Sequence, residues 1–352
     1  MPDLPSVAVL GAGSWGTALA ILLAKKGVQV ALWARDAALA ERILKEGQNP
    51  RYLPGFPLPP SVRPTSDIAS AVRGAAVLVF AVPAGALRAV AEAVYQHLPA
   101  PLLVISAAKG LEGDGSRPSQ VLQAVLGDKL AEVVVLSGPN LALELAREIP
   151  TATVVASPSP EAAKQAQALF MHPSFRVYTN RDVIGVELGG ALKNVLAIGA
   201  GLSDGMGFGD NSKAALITRG LAEMVRLGVA LGAEERTFMG LSGVGDLFAT
   251  AASHLSRNWR VGHGLAQGKP LAQILQELKQ VAEGVPTTFA VCGIAGRLGI
   301  EMPIAQTIRA VLEGQISPQD AIRELMLRTP KEEWWLPSLS PLPQREGYRQ
   351  QS

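Results

Sequence analysis

Cysteine and histidine are scarce in this sequence, and their scarcity limits its chemistry. Cys292 is the single cysteine among 352 residues, which excludes an internal disulfide and any cysteine-rich zinc site. The four histidines show no metal-ligand spacing; they are His97, His172, His254 and His263. The sequence therefore predicts a protein that works without a bound metal ion.

The chain also lacks an excess of charge of either sign. Its 32 lysine and arginine residues nearly balance 30 aspartate and glutamate residues, and both signs are spread along the chain. A clustered basic surface for nucleic acid is therefore not expected. With 48% hydrophobic and 18% charged residues, the composition is that of a compact globular protein. The length favours about two domains.

No targeting or membrane-spanning segment is predicted. The start of the chain has Asp3 and an apolar run that ends at Gly11, whereas a secretory signal needs a basic start and a longer apolar run. The most membrane-like stretch, residues 183–202, contains Glu187 and Lys193, and charges near its middle disfavour a spanning helix. We therefore expect a cytoplasmic protein without membrane insertion.

Short β-branched runs alternate with helical segments in the first half of the chain. Uninterrupted apolar strands separated by helices are typical of a parallel sheet covered on both faces. We predict a doubly wound α/β Rossmann domain over residues 1–180, with ligands at the carboxyl ends of its strands. The predicted strands are 7–10, 28–33, 77–82, 102–105, 133–136, 151–156 and 176–179, and the early helices include 17–26 and 84–98.

The pattern changes near residue 181, where strand-like runs give way to long segments of helical periodicity. We predict an all-α second domain over residues 181–330. The tail, residues 331–352, contains several prolines and is expected to be poorly ordered, although Trp334 and Trp335 could dock on the body or on a partner. Predicted helices run from 210 to a stop at 232, and over 258–267, 271–280, 286–299, 303–313 and 317–327.

A glycine-rich loop follows the first predicted strand and opens the first helix, which is the context that a dinucleotide-binding loop requires. In such a loop the first glycine permits a tight turn, the second admits a pyrophosphate and the third lets helix and strand pack closely. Backbone N–H groups at the helix start favour the phosphates. A glycine-rich turn without a ligand is the alternative. The loop consists of Gly11, Ala12, Gly13, Ser14, Trp15 and Gly16.

The end of the second predicted strand bears on the choice between NADH and NADPH. An NAD enzyme usually places an acidic residue there for the ribose hydroxyl groups. Here Arg35 stands where a 2′-phosphate could lie, and Asp36 comes slightly late. The sequence favours NADPH over NADH, with a solvated surface arginine as the alternative role for Arg35.

Lys193 lies in a small and apolar helix-like stretch, residues 187–198. A cation there must either reach water or have a partner. A desolvated lysine has a lowered pKa, so it could give a proton to a ketone oxygen, and accept it in reverse, while a nicotinamide exchanges hydride with the carbon. The alternative is a lysine whose head reaches water past an apolar helix.

Polar positions further along could complete such a site. Asp246 follows the flexible, glycine-spaced residues 243–245, and it could orient a lysine or cap a helix that begins at Leu247. Ser256 could cap the next helix while Arg257 binds a phosphate that the same helix N-terminus attracts. A cap beside a surface arginine is the alternative.

Two segments follow predicted strands at their carboxyl ends, where such sheets bind ligands. Lys109 follows the strand at 102–105 and could contact a phosphate of substrate or cofactor. Gly138 follows the strand at 133–136 and would allow close approach to its backbone. Both positions are therefore candidates for the ligand site.

Taken in order, these segments resemble the bacterial NAD(P)-dependent glycerol-3-phosphate dehydrogenase family over roughly residues 5 to 325. The stretch around Lys193 and Asn194 is the most specific. The matching segments are 11–20, 49–55, 108–112, 137–139, 185–195, 209–211, 215–220, 245–247, 256–258 and 283–285.

The resemblance implies a reaction and an architecture. It implies that NAD(P)H reversibly reduces dihydroxyacetone phosphate to sn-glycerol 3-phosphate, which supplies glycerophospholipid synthesis. It also implies an N-terminal Rossmann domain and a C-terminal helical domain like that of 6-phosphogluconate dehydrogenase. Apolar helical domains of this kind often dimerise, so a homodimer is expected.

The resemblance also implies roles by position, with Lys193 as proton donor and acceptor and Asp246 beside it. The sequence departs from the family at Asn140, where Ser or Thr is usual, and at Leu141, where Phe or His is usual; an amide still forms hydrogen bonds, so binding is expected to persist. Substrate would contact Lys109, Gly138, Asn140, Lys193, Asp246, Ser256, Arg257 and Asn258. Cofactor would contact Gly11, Gly13, Ser14, Trp15, Gly16, Arg35, Lys109, Ala142, Arg257, Val281 and Glu283.

Two other functions share parts of this pattern. A related reductase could act on a non-phosphorylated hydroxy acid, in which case Arg257 would matter less for substrate affinity. A nucleotide-sensing protein with a degenerate site would have no need of a proton donor. The joint presence of Lys193, Asp246 and Arg257 argues against the sensor.

Overall fold

The computed structural model describes residues 5–278, 280–330 and 332–333. Trp334, Trp335 and almost all of the predicted tail lie outside the described residues. The described strands are β1 (Val7–Leu10), β2 (Val30–Trp33), β3 (Gln48–Asn49), β4 (Leu53–Pro57), β5 (Val62–Thr65), β6 (Val77–Phe80), β7 (Leu102–Ser106), β8 (Leu130–Ser137), β9 (Thr151–Ala156) and β10 (Phe175–Asn180).

Eight of these strands form one sheet in the order β5, β2, β1, β6, β7, β8, β9, β10, while β3 and β4 form a separate ribbon. The predicted doubly wound sheet is confirmed, with one difference: β8 and β9 pair antiparallel. A parallel return needs a crossover along the sheet, but residues 138–150 contain only one five-residue helix. The strand β5 was not predicted because Pro64 interrupts it, and proline is tolerated there since β5 is an edge strand.

Helices cover both faces of the sheet. Along β1, Val7 and Val9 point into one core and Ala8 and Leu10 into the other. This division explains why the strand is apolar at every position instead of alternating. The helices of this part are α1 (Ser14–Lys25), α2 (Ala37–Glu46), α3 (Ile68–Val72), α4 (Ala84–Tyr95), α5 (Pro118–Leu126), α6 (Ala142–Ala146) and α7 (Pro160–Phe170).

After Asn180 the described residues form helices and no further strand, as the sequence predicted. The limits chosen for the two domains stay a prediction. The helices are α8 (Val183–Gly205), α9 (Asp210–Ala230), α10 (Glu235–Phe238), α11 (Asp246–Ala251), α12 (Arg257–Ala266), α13 (Leu271–Leu278), α14 (Gly284–Leu298), α15 (Pro303–Leu312) and α16 (Pro318–Met326), with a π-helical turn at Leu241–Gly245.

Helix α8 is the centre of the helical part. It is the one described helix long and apolar enough to cross a membrane, and 89% of its most apolar window is buried inside the protein. Glycines on both helices allow α12 to cross α8 at backbone contact: a Cβ at Gly201 of α8 would lie 1.9 Å from the carbonyl oxygen of Trp259, and one at Gly262 of α12 would lie 1.9 Å from that of Ile198. This close crossing holds the start of α12 at a set distance from Lys193 on α8.

Candidate active site

A cluster of polar side chains lies where the carboxyl ends of β7 and β8 meet α8. Lys109 and Gly138 follow these two strands, Lys193 lies on α8, and Asp246 is the first residue of α11. The four positions are far apart in the sequence, yet hydrogen bonds join them directly. The fold therefore places the candidate site at the edge of the sheet where ligands of such folds bind.

Asp246 bridges two lysines in the interior. Its Oδ1 lies 2.6 Å from the Nζ of Lys193, and its Oδ2 lies 2.9 Å from the Nζ of Lys109. Lys193 is 6% exposed and Asp246 is 1% exposed. The ammonium group of Lys193 is therefore buried. The alternative, in which it reaches water past an apolar helix, is wrong.

Both lysines keep a proton to offer to a ligand. Lys193 also donates to the Oγ1 of Thr250 at 2.6 Å, and Lys109 donates to the carbonyl oxygen of Gly138 at 2.7 Å. A protonated lysine has three N–H donors, and each of these uses two on the described residues. One donor per lysine is left for a carbonyl or phosphate oxygen.

The surroundings lower the pKa of Lys193 to about 8. Burial is the main cause, and the charge of Lys109 lowers the pKa further. Asp246 opposes both effects, because its carboxylate favours the protonated amine. A pKa near the working pH suits a group that must both give and take a proton.

The π-helical turn directly before α11 positions Asp246 beside the two lysines. Such turns often occur at functional sites. The predicted flexible loop at residues 243–245 is wrong, because this segment is the end of that turn. A Cβ at Gly243 would lie 1.9 Å from the carbonyl oxygen of Phe238, so the turn packs at backbone contact. The alternative role of Asp246 as a cap is also wrong: Gly245 occupies the cap position, and no side chain caps α11.

Asn194 and Thr250 also belong to the cluster, although sequence reasoning assigned them no role. Asn194 donates to the carbonyl oxygen of Lys109 at 2.9 Å and accepts from the Nδ2 of Asn258 at 2.8 Å. Asn258 in turn accepts from the N–H of Gly284 at 2.9 Å. Thr250 could have been recognised, because it lies four residues after Asp246 and so shares its helix face.

The start of α12 lies beside this network. Ser256 caps the helix, as predicted, and its Oγ accepts from the N–H of Trp259. Arg257 is exposed, and it donates one hydrogen bond of 2.8 Å to the carbonyl oxygen of Val281. A guanidinium has five N–H donors, so most of the Arg257 donors can bind an anion near the helix N-terminus.

The glycine-rich loop has the geometry that a pyrophosphate requires. Gly11 has a φ of +121°, and a Cβ there would lie 2.6 Å from the carbonyl oxygen of Ala81. A Cβ at Gly13 would meet nothing within 4 Å, whereas one at Gly16 would lie 1.9 Å from the carbonyl oxygen of Gly11. Helix α1 begins at Ser14 and no side chain caps it, which leaves its first N–H groups for a phosphate.

The residues after β2 include one acidic side chain with partners in the protein and one basic side chain without a described partner. The carboxylate of Asp36 caps α2 by accepting from the N–H of Leu39, and it lies 3.4 Å from the guanidinium of Arg51. Arg35 is exposed, and no described residue pairs with its side chain. The carboxylate is thus engaged elsewhere, while the Arg35 guanidinium is available.

The other predicted cofactor residues lie on both parts of the chain. Ser14 donates to the carbonyl oxygen of Tyr52 at 2.7 Å, and Trp15 packs edge-on against Phe175. Glu283 is partly buried, and desolvation raises its pKa; it accepts from the N–H of Ala84 at the start of α4 at 2.8 Å. Their contacts with a cofactor stay predictions, as do those of Ala142, the first residue of α6, and of Val281, which is half-exposed.

Asn140 has its side chain turned toward β9. Its Nδ2 donates to the carbonyl oxygen of Ala152 at 3.1 Å, and its Oδ1 accepts from the Oγ1 of Thr153 at 2.9 Å. Both ends of the amide are therefore engaged within the protein. Contact between Asn140 and a substrate stays a prediction.

Nothing in the described part of the chain points to a metal: no group of three His, Cys, Asp or Glu side chains could hold a metal ion. A Rossmann sheet with this loop, facing a buried pair of Lys193 and Asp246, defines a nicotinamide-dependent dehydrogenase with a helical second part.

Comparison with known sequences assigns the chain to one family of that class. Residues 6–163 match the model of the NAD-dependent glycerol-3-phosphate dehydrogenase N-terminus, and residues 182–323 match that of its C-terminus. The chain belongs to the NAD-dependent glycerol-3-phosphate dehydrogenase family, and it is an oxidoreductase that uses NAD or NADP.

Individual relatives agree with this assignment along nearly the whole chain. The glycerol-3-phosphate dehydrogenase [NAD(P)+] of Geobacillus kaustophilus is 49% identical over 332 residues, which cover 94% of this chain and 96% of the relative. That of Pelotomaculum thermopropionicum is 50% identical over 324 residues, 92% of this chain and 93% of the relative. The crystal structure of the Coxiella burnetii glycerol-3-phosphate dehydrogenase superposes with a TM-score of 0.89 at 38% identity, covering 92% of this chain and 99% of that one.

Proposed function

We propose that this protein reduces dihydroxyacetone phosphate to sn-glycerol 3-phosphate, reversibly, with NADPH as the preferred cofactor. Family membership supports the reaction. The observation that carries the proposal at the site is the buried Lys193, held by Asp246 and Thr250 with one N–H left over. A nicotinamide cofactor held at the glycine-rich loop would supply the hydride, or accept it in the reverse direction.

Lys193 is proposed to donate the proton to the ketone oxygen and to take it back in the reverse direction. Asp246 fixes the position of the amine and keeps it protonated at neutral pH, since its carboxylate raises the pKa against the effect of burial. Thr250 accepts a second N–H, so the remaining N–H points in one set direction. Pre-positioned donors of this kind need little rearrangement during the reaction.

The phosphate of the substrate is proposed to lie at the start of α12. Arg257 and the helix N-terminus supply N–H donors there, and Lys109 adds a cation beside Asp246. Asn258 and Asn194 connect this end of the site to the backbone of Lys109. The phosphate and the ketone would thus be held by one connected set of side chains.

The test is the oxidation of NADPH and NADH by the purified protein with dihydroxyacetone phosphate as substrate. Rapid oxidation is expected, with a higher kcat/KM for NADPH. Glyceraldehyde 3-phosphate and a non-phosphorylated 2-keto acid serve as controls, because both offer a carbonyl group without matching the proposed substrate. Faster turnover of the keto acid would contradict the proposal.

The rate of each direction should depend on the protonation of Lys193. Because ketone reduction needs the protonated amine, its kcat/KM should fall as the pH rises through about 8. Oxidation of glycerol 3-phosphate needs the neutral amine, so its kcat/KM should fall as the pH drops through about 8. On its falling side each profile should approach a slope of about tenfold per pH unit. Initial rates at low concentrations of dihydroxyacetone phosphate or glycerol 3-phosphate, from pH 6 to 10, measure both profiles, and identical profiles in the two directions would contradict the role of Lys193.

Arg35 is proposed to select NADPH. Replacing Arg35 by alanine should raise the KM for NADPH by about tenfold or more, since a charge-assisted contact with the 2′-phosphate is lost. The KM for NADH should stay nearly constant. Arg63→Ala is the control, because Arg63 is an exposed arginine on the adjacent edge strand β5. An equal rise in KM for the two cofactors would show that Arg35 does not bind the 2′-phosphate.

We further propose that the protein acts in the cytoplasm, as a homodimer, and supplies glycerophospholipid synthesis. We place the domain limits at residues 1–180 and 181–330; the last strand ends at Asn180 and the long helix α8 begins at Val183. The apolar α8 is enclosed by the other helices, which supports a role for it as a core helix and not as a membrane anchor.

A further inference from the structure

A cavity lies away from the lysine cluster, where the edge of the sheet meets the helical part. We call it the β10 cleft and define it by Lys164, Tyr178, Arg181, Arg236, Thr237 and Ser242, which line it with their neighbours. Its volume is about 820 Å³, which is within the range of small-molecule sites. None of the residues assigned above to substrate or cofactor lines it.

The β10 cleft carries a positive charge. Lys164 and Arg181 are exposed, and no described residue forms an ion pair or hydrogen bond with the charged group of either side chain. Arg236 also lines the cleft, where its guanidinium lies 2.6 Å from Glu234, the one acidic residue among the described lining residues. Two unpaired cations beside one cavity favour an anionic ligand.

The cleft also offers an apolar surface and a polar wall. Tyr178 is 50% exposed, and the guanidinium of Arg176 lies 5.5 Å from the centre of its ring, so the ring sits in a cationic environment. Thr237 is 5% exposed, and its buried Oγ1 has no hydrogen-bond partner among the described residues. A ligand with a phosphate and an organic body matches these features better than a bare ion.

One wall of the cleft continues directly into the catalytic cluster, and another contacts Asn140. Ser242 lies in the π-helical turn that ends just before Asp246. The turn packs closely against α8, since a Cβ at Gly189 would lie 2.6 Å from the carbonyl oxygen of Ser242. Gly189 precedes Lys193 by four residues and so lies on the same helix face. On the other wall, the carbonyl oxygen of Ala152 accepts from Asn140.

We propose that the β10 cleft is a second binding site, for a phosphorylated small molecule, and that its occupancy changes turnover through the π-helical turn. A ligand held by Lys164 and Arg181 would contact residues 240–242 and shift the turn. Asp246 would move with the turn, and with it the position and protonation of Lys193. Close packing transmits such shifts because the turn and α8 already touch at backbone distance.

The binding test uses inorganic pyrophosphate as the probe and isothermal titration calorimetry of the full chain with NADPH present, which fills the cofactor phosphate sites. The wild-type protein should bind pyrophosphate both at the start of α12 and in the cleft. The Lys164→Ala/Arg181→Ala variant should lose one class of sites, with affinity there reduced at least about tenfold. The Arg73→Ala/Lys129→Ala variant removes two cations outside the cleft and should bind like wild type.

Arg257→Ala separates this proposal from the proposed reaction. This variant should lose pyrophosphate binding at the start of α12 and keep pyrophosphate binding in the cleft. If Lys164→Ala/Arg181→Ala binds pyrophosphate like wild type, the cleft site is overturned whatever Arg257→Ala does. If Arg257→Ala changes nothing while the cleft variant loses binding, the cleft site stands and the phosphate role of Arg257 fails.

The coupling test rests on the proposed reaction. At saturating dihydroxyacetone phosphate and NADPH, pyrophosphate should change the kcat of the wild-type protein by at least about twofold, and it should not change that of Lys164→Ala/Arg181→Ala. Competition at the catalytic site disappears at saturation, so a change in kcat reports a separate site. An unchanged kcat in a protein that binds pyrophosphate in the cleft would overturn the coupling.

Discussion

Replacement of Lys193 by alanine is expected to lower kcat for the reduction of dihydroxyacetone phosphate by about 10²–10⁴-fold, the usual contribution of a positioned proton donor. Lys193 is the more deeply buried of the two amines, with a side chain 8% exposed against 14% for Lys109, and its pKa lies near 8. Steady-state kinetics at saturating NADPH measures the loss. The Kd for NADPH, followed by fluorescence, should stay nearly unchanged.

Two further variants test whether the loss of activity is specific to the amine of Lys193. Lys193→Arg keeps a positive charge but cannot release a proton at accessible pH, so it should also be slow, and its remaining activity should lose the inflection near pH 8. Lys269→Ala is the matched control, because Lys269 pairs with Glu277 on the surface. A Lys193→Ala enzyme that turns over at a near-normal rate would show that another group moves the proton.

Replacement of Arg257 by alanine is expected to raise the KM for dihydroxyacetone phosphate by about 10²-fold or more. Hydrogen bonds to charged groups contribute roughly 1.5–3 kcal/mol each, and Arg257 has donors free for a bidentate contact because only one is used on Val281. The kcat at saturation should fall much less than for Lys193→Ala, since Arg257 holds the end of the substrate that does not react. Initial rates over a wide substrate range separate the two parameters.

Arg260 provides the control for this variant. It lies on the same helix, is exposed, and follows Arg257 by one turn, so Arg260→Ala removes an equal charge from α12. Its KM should stay within about twofold of wild type, as expected for an exposed charge. A small effect of Arg257→Ala, together with turnover of non-phosphorylated keto acids, would favour the hydroxy-acid reductase that the sequence left open.

Local sequence patterns were sufficient to predict the fold and the part of the site formed by the glycine-rich loop and Lys193. The apolar run at Val7–Leu10 and the glycines after it predicted the first strand, the turn and the first helix, because strand periodicity and loop geometry depend on neighbours in the sequence. The lysine at 193 was recognisable because a charge in an apolar helix is rare enough to need an explanation. Each of these signals lies within one short stretch of consecutive residues.

The rest of the site could not be predicted in this way. The local pattern around Asp246 favoured an ordinary helix cap, but Asp246 is the first residue of α11, and the π-helical turn before it directs its carboxylate to Lys193 and Lys109. The pairing of Asn194 with Asn258 joins residues 64 positions apart. The hydrogen bonds of the Asn140 amide to β9 also depend on the fold; contact of Asn140 with substrate stays a prediction.

The sequence by itself determined the class of fold and the glycine-rich loop, because these follow from periodicity and glycine geometry. It singled out Lys193 as a charge in an apolar stretch, but it left open whether the amine is desolvated or reaches water. Only the tertiary structure decided which carboxylate partners Lys193, how far its pKa falls and where the β10 cleft lies. Those properties depend on distance and burial, which are set when α8 packs against α11, α12 and the sheet. Electrostatic interactions act through space, and a sequence states only which residues follow one another.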